Sequence, residues 1–211
     1  MTKQKKVVLV TAGPTREHID PVRFISNLSS GRLGYEIAIA AHKRGYEVVL
    51  ISGPTHLRAP RGVCMVPVIS ARQLEKAVLR FFHQADVLFM TSAVCDYRPI
   101  RPRREKIKRK STMALSLEGT PDILKRIIPY KKKQIVCGFC LETSNLVSRA
   151  RMKLQKKKLD FIVAHRYHRG DNPFGDTMVK PLILDKEGNR YQLPAQTKQA
   201  VARYLLHLTM G

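Results

Sequence analysis

The chain is short of acid: among 211 residues, 16 Asp and Glu stand against 39 Lys and Arg, a formal net charge of +23 and a pI near 10.3. Such a balance points to anionic partners, whether nucleic acid, an anionic surface or polyanionic small substrates. Aromatics are scarce too, and tryptophan is absent. The basic runs Arg98–Lys110, Lys125–Lys133 and Arg149–Lys158 therefore carry few rings to stack on bases. No apolar run approaches a membrane span, and Met1–Lys6 leads into only a brief apolar stretch, so no signal peptide or anchor is expected and the cytoplasm is the expected location. The four cysteines, Cys64, Cys95, Cys137 and Cys140, form no paired metal-ligand set. They are expected as reduced, mostly buried thiols, with a redox pair at Cys137 and Cys140 as the alternative. Internal repeats and low-complexity linkers are missing, and no Gly-x-Gly-x-x-Gly follows the first apolar run, which excludes the dinucleotide fingerprint.

What is present begins with Val7-Val8-Leu9-Val10, a continuous apolar run that reads as a buried parallel strand, stopped by the turn chemistry of Thr11-Ala12-Gly13-Pro14-Thr15. A polar, glycine-punctuated loop from Phe24 to Gly34 then enters an apolar-periodic helix over about 34–44. Gly45 ends that helix, and Glu47-Val48-Val49-Leu50-Ile51 follows as a second strand. Ser29, Ser30 and Gly31 at a helix start read either as an anion cradle or as an ordinary N-cap. Together these segments form a βαβ unit with a polar insert at the carboxyl edge of the sheet, where open α/β folds bind ligands.

Further along, Cys64-Met65-Val66 predicts a short strand, and 71–84 predicts an amphipathic helix behind a Ser70 cap. Strands are expected at 87–90, 115–117, 134–139 and 159–164. Thr120-Pro121-Asp122 reads as a helix start with Pro at its first position, ending before Pro129. The helix over 146–158 is basic almost all round, and a loop over 166–176 contains an Asn-Pro turn. Segments 180–184 and 190–193 flank Asp185–Asn189 as a β-hairpin, and a helix over 198–208 closes the chain. The expected architecture is α/β: a Rossmann-like open sheet, mostly parallel, flanked by helices, with a C-terminal β-hairpin, as a single domain over 1–211.

Three separated motifs carry a resemblance. Thr11-Ala12-Gly13-Pro14-Thr15-Arg16-Glu17, Ile19-Asp20-Pro21-Val22-Arg23-Phe24-Ile25-Ser26-Asn27 and Ser29-Ser30-Gly31 with Gly34 come first. Ala93-Val94-Cys95-Asp96-Tyr97-Arg98 with Glu105-Lys106-Ile107-Lys108 comes next, then Gly138-Phe139 with Glu142-Thr143. In order and residue type this resembles the phosphopantothenoylcysteine synthetase family over nearly the whole chain. Relatives usually have Lys at Arg32, His or Arg at Leu28, Ala at Ser92 and Cys95, and Asn at His165.

The resemblance implies coenzyme A biosynthesis: 4'-phosphopantothenate is joined to L-cysteine through an acyl-cytidylate, using CTP as substrate with Mg²⁺ and releasing pyrophosphate and CMP. It implies catalytic roles for Asn27 and Lys106. Nucleotide binding falls to Gly13, Ser29, Ser30, Gly31, Arg32, Ser92, Ala93, Asp96, Phe139, Lys153 and Lys157. Substrate binding falls to Arg23, Asn27 and Ala93, and no protein metal-ligand set is implied. Lys153 and Lys157, spaced i, i+4, share one helical face in what the family uses as a flap over the triphosphate. Many relatives carry a flavin-dependent decarboxylase before this region; here the first strand starts at once, so a stand-alone ligase without flavin is expected. A homodimer is implied, with the region after Ala164 as a candidate interface. The alternatives from other classes are a basic nucleic-acid-binding protein, an NAD(P)-dependent oxidoreductase and a non-catalytic regulator on the same fold.

Overall fold

The computed structural model describes residues 5–167, 174–175 and 177–211; the expected Asn172-Pro173 turn lies outside them. In chain order the elements are β1 (Val7–Ala12), β2 (Arg16–His18), β3 (Phe24–Ser26), α1 (Arg32–Lys43), β4 (Glu47–Ser52) and β5 (Cys64–Pro67). Next come α2 (Ala71–Phe82), β6 (Val87–Met90), β7 (Tyr97–Pro99), β8 (Leu117–Gly119), α3 (Ile123–Ile127) and β9 (Ile135–Glu142). The chain finishes with α4 (Leu146–Lys156), β10 (Phe161–Arg166), β11 (Leu182–Asp185), β12 (Arg190–Gln192) and α5 (Lys198–Met210).

Eight strands form one sheet in the order β12-β11-β10-β9-β6-β1-β4-β5. From β5 to β10 every pairing is parallel, and β11 and β12 close the edge as the expected antiparallel hairpin. Strand order reverses between β1 and β6. That is the topological switch point, and it opens a crevice above the carboxyl ends of those strands.

Burial on both faces explains why β1 reads as an unbroken apolar run. Leu9 faces a core shared with Leu74 and Phe82 of α2, Ile127 of α3 and Leu154 of α4. Its neighbours Val8 and Val10 point the other way, into a core with Ile37 of α1 and Leu205 of α5. The sheet thus separates an α1/α5 layer from an α2/α3/α4 layer. Helix α2 starts where its capping box predicts: the Ser70 hydroxyl accepts from Gln73 N at 3.3 Å, and the Gln73 amide oxygen accepts from Ser70 N at 3.2 Å.

Several boundaries differ from expectation, three of them around α3 and the second ribbon. Helix α3 starts two residues later, because the Asp122 carboxylate caps it by accepting from Lys125 N at 3.1 Å, which leaves Pro121 outside. A 3₁₀ turn over Ile128–Tyr130 takes in Pro129. The strand expected at 115–117 lies at Leu117–Gly119, paired with β7.

Two small antiparallel ribbons, β2–β3 and β7–β8, stand off the main sheet. The basic stretch 100–116 is the long connection inside the second ribbon. Asp20, at the turn of the first ribbon, anchors it: Oδ2 accepts from Ile107 N at 3.1 Å, and Arg23, which pairs with Asp20, donates to the Ile107 carbonyl at 2.6 Å. Burial alone would raise the Asp20 carboxyl, but the Arg23 guanidinium and the N–H groups of Val22, Ile107 and Arg23 hold it well below the usual carboxylate range. No described helix is long and apolar enough to cross a membrane.

Candidate active site

A cavity of about 1030 Å³ fills the crevice at the switch point. Two loops are laced together across it: Ala93 N donates to the Gly13 carbonyl at 3.0 Å and Thr15 N to the Ala93 carbonyl at 3.1 Å. This brings the segments after β1 and β6 into one wall. Gly31 has φ 78°, and a Cβ there would lie 3.0 Å from Gly13 N and 2.9 Å from the Thr55 methyl, so the two glycine backbones touch. Gly13 itself lies behind that contact and does not line the cavity.

Helix α1 begins at this contact. The Ser29 hydroxyl accepts from Gly31 N and the Ser30 hydroxyl from Arg32 N, both at 3.3 Å, so the serines shape the loop while the first-turn N–H groups of α1 face the crevice end. The Ser30 hydroxyl also donates to the Phe174 carbonyl, and Arg32 Nε lies 3.0 Å from Glu36 Oε1. On the facing wall, Asn27 donates one amide hydrogen to the Ala93 carbonyl at 3.1 Å. The same nitrogen lies 4.0 Å from Cys95 Sγ, a weak acceptor that a ligand oxygen would displace, and the amide oxygen can accept from a ligand. Ser92 Oγ is buried and bonds to no protein atom among the described residues, an orphan that a ligand or water must satisfy.

The far wall comes from β9, α3 and α4. Lys153 Nζ donates to the Phe139 carbonyl at 2.8 Å, and Lys157 Nζ pairs with the Asp122 carboxylate. Partial burial pulls the Lys157 ammonium below its ordinary range. The Cys140 thiol is pushed up to about 11, chiefly by burial and then by Glu142, against the lowering effect of Lys153; Cys137 is pushed up by burial and Asp160. Both therefore stay as thiols at neutral pH, and all four cysteines are free. At the end of β10, burial and the Lys198 ammonium push His165 down to about 4, so its imidazole is neutral across the physiological range.

The cavity therefore gathers Asn27, Ser29, Ser30, Gly31, Arg32, Ser92, Ala93, Asp96, Phe139, Lys153 and Lys157 from the sequence-derived set. Gly13, Arg23 and Lys106 do not line it. Arg23 spends its guanidinium on Asp20 and Ile107, and Lys106 is exposed on the 100–116 connection. Thr120, Asp122, His165 and Lys198 also line the cavity, and sequence reasoning assigned them no part in the site. His165 had a usable signal, since it stands at the carboxyl end of a parallel strand. Lys198 had none, because it comes from the first turn of α5.

Asp96, Asp122 and Glu142 are the carboxylates that line the cavity. No group of three or more His, Cys, Asp or Glu that could hold a metal occurs among the described residues.

Comparison with known proteins places the chain in a family. The model of the DNA/pantothenate metabolism flavoprotein C-terminal domain matches residues 3–210. The chain belongs to this family. It is 41% identical over 203 residues to the coenzyme A biosynthesis bifunctional protein CoaBC of Bacillus subtilis (strain 168), covering 95% of this chain and 50% of that protein. To the Borreliella burgdorferi protein of the same name it is 36% identical over 209 residues, covering 97% and 52%. The chain thus spans about half the length of the curated relatives it matches. Among solved structures, the C-terminal domain of a CoaBC protein superposes with a TM-score of 0.82 at 41% identity, over 97% of this chain and 94% of that one. The fold recurs in a Cab2 mutant in complex with phosphopantothenate-cysteine, with a TM-score of 0.75, 15% identity and coverage of 97% and 86%.

Proposed function

We propose that this family member is a phosphopantothenoylcysteine synthetase acting in the cytoplasm, and that the switch-point crevice is where it works. The carrying observation is the convergence of Asn27, Ser92, Asp96, Lys153 and Lys157, from three distant stretches, on one cavity of about 1030 Å³. That volume stands at the top of the range for single-ligand pockets and suits two substrates side by side.

In the first step a carboxylate oxygen of 4'-phosphopantothenate attacks the α-phosphorus of CTP. The bond to the bridging oxygen breaks, pyrophosphate leaves, and an acyl-cytidylate remains. Two anions must meet, so cations are required. Lys153, Lys157 and Arg32 hold the triphosphate, with the first turn of α1 at its phosphates. Asp96 would hold Mg²⁺, which when bound neutralises phosphate charge; the reading requires no flavin. Lys106 stabilises the pentavalent phosphorus, which requires the 100–116 connection to fold over the cavity mouth about its Ile107 anchor. In the second step the cysteine amine attacks the acyl carbon, the bond from that carbon to the phosphate oxygen breaks, CMP leaves, and the proton lost by the amine passes to water. Asn27, pinned through one hydrogen to Ala93, gives the other to the acyl oxygen as charge develops there. Arg23 acts by holding the Asp20–Ile107 anchor.

A homodimer belongs to this reading, with the region after Ala164 as one candidate interface and the exposed apolar residues around the ribbons as a second. Val22, Phe24, Leu28 and Tyr97 are 58%, 40%, 81% and 59% exposed, an apolar surface that a second copy would cover.

The test is pyrophosphate release from CTP and, separately, ATP, with Mg²⁺ and 4'-phosphopantothenate, with and without cysteine. Phosphopantothenate-dependent release with CTP exceeding that with ATP supports the reading. A folded protein that releases none with either nucleotide sinks it.

A further inference from the structure

The excess positive charge is far larger than a triphosphate site needs, and it is not spread evenly over the molecule. In the α2/α3/α4 layer nearly every acid is already spent. Glu75 pairs with Arg126 at 3.2 Å, Asp122 with Lys157, and Glu142 with Arg149 at 2.9 Å. Behind them the buried Asp160 holds both Lys131 at 2.7 Å and Lys186 at 3.0 Å. What remains in that layer is cationic and exposed: Arg72, Lys76 and Arg80 on α2, Lys132 and Lys133 before β9, and Arg151 and Lys156 on α4. The α1/α5 layer differs. On its helices and their caps Arg32 is paired with Glu36, Lys198 is buried, and the exposed cations come down to Lys43, Arg44 and Arg203, with Arg58 and Arg61 on the loop beside α1.

The extent of the layer decides what kind of anion fits. Helix α2 packs on β4 and β1, and α4 packs on β9, β10 and β11. From β4 to β10 is four strand spacings, about 19 Å at ~4.8 Å each. No single phosphate or nucleotide spans that distance, whereas Arg72, Lys76 and Arg80, spaced i, i+4 on α2, stand about 6 Å from one to the next, inside the Debye length of about 8 Å, and act together. An extended chain of phosphodiesters meets both conditions. Rings for base stacking are few in the layer: exposed Tyr130 is engaged edge-on by His83 at 5.4 Å, and Phe81 lies under Arg80 at 5.3 Å.

We propose that the outer surface of the α2/α3/α4 layer is a docking face for the phosphodiester backbone of nucleic acid, read without sequence preference. The face lies outside the substrate crevice, and the exposed cations Arg72, Lys132, Arg151 and Lys156 do not line that crevice. The inference therefore stands whether or not the proposed ligase chemistry is right.

Two triple variants of equal charge change test it. Lys132→Gln/Arg151→Gln/Lys156→Gln neutralises the face, and Lys43→Gln/Arg44→Gln/Arg203→Gln neutralises the opposite layer. Each, with the parent protein, is titrated into fluorescein-labelled single-stranded RNA and duplex DNA of two unrelated sequences over a range of KCl, with folding checked by circular dichroism. Each lost contact should lower the steepness of log K against log salt by about 0.7 on a single strand and about 0.9 on a duplex. The expected result is a slope shallower by about 2 to 3 and binding more than tenfold weaker in the face variant. The opposite-layer variant should stay near the parent, with no difference between sequences. RNA and DNA binding alike makes the backbone the ligand, and a preference for one names the source. Equal weakening in both variants, a sequence-dependent affinity, or no binding by the parent at 0.1 M KCl overturns the proposal.

Discussion

Gly34 stands where no side chain fits: a Cβ there would lie 2.5 Å from Thr91 Oγ1 and 2.7 Å from the Ala12 methyl. Alanine in a helix ordinarily gains about 1 kcal/mol over glycine. Here overpacking against the ends of β1 and β6 costs ~1–3 kcal/mol, so the clash wins. Gly34→Ala is expected to destabilise the fold in urea titration and to raise KM for the nucleotide by shifting the start of α1. At Asn27 the chemistry is separable by half-reaction. Asn27→Asp should spare pyrophosphate release more than amide formation, because a carboxylate repels the developing oxyanion; Lys106→Gln should impair the release itself. Rapid-quench assays of the two steps check this, and equal loss of both steps in both variants counts against the assignment. His165 carries a pH signature. Its folded pKa, about 4, lies below the ordinary 6.5, so the unfolded chain binds the extra proton and the stability contribution is complete above pH 6.5 and lost as pH falls toward 4. Urea titrations should therefore show a smaller loss of stability from pH 7 to pH 5 in His165→Asn than in the parent.

At the scale of elements, the strands that build the crevice floor were legible because they are buried on both faces. Val7–Val10, Val87–Met90 and Ile135–Phe139 have no polar alternation to blur them. The ribbons were not. Their three-residue strands hold Arg16, Glu17 and His18, or Tyr97, Arg98 and Pro99, and draw on cross-chain pairing that no local pattern announces. Asp122 was misread for a related reason: Pro121 looks like a first helical residue, but the side chain one position later makes the cap. Helix α4 ends at Lys156, so Lys153 is helical and Lys157 is its C-cap. Both still line the same cavity, each tied to a partner on another element, Phe139 and Asp122. A charge-assisted hydrogen bond is worth about 1.5–3 kcal/mol, or about 10–100-fold. Lys153→Met and Lys157→Met should each raise KM for CTP by about that factor and leave KM for 4'-phosphopantothenate within about threefold; a uniform loss of kcat with unchanged KM would argue against a triphosphate role.

Over the whole molecule, two features of one sequence point to different edges of the fold. The separated motifs after β1, β6 and β9 converge at the switch point because parallel strands deliver their carboxyl ends to one side. The motif order made that convergence legible; the contributions of α3 and α5, through Asp122 and Lys198, depend on packing and were not. The surplus of basic residues instead lies outside the crevice, on the 100–116 connection of the second ribbon and on the outer surface of the α2/α3/α4 layer. The central claim, that the crevice joins a phosphorylated acid to cysteine, is tested most directly by following the product. The protein is incubated with CTP, Mg²⁺, 4'-phosphopantothenate and L-cysteine, and phosphopantothenoylcysteine is measured by mass spectrometry. The account predicts product that requires all four additions and falls sharply in Asn27→Asp. Failure of the folded protein to form it, or its formation at an undiminished rate in Asn27→Asp, would contradict the account.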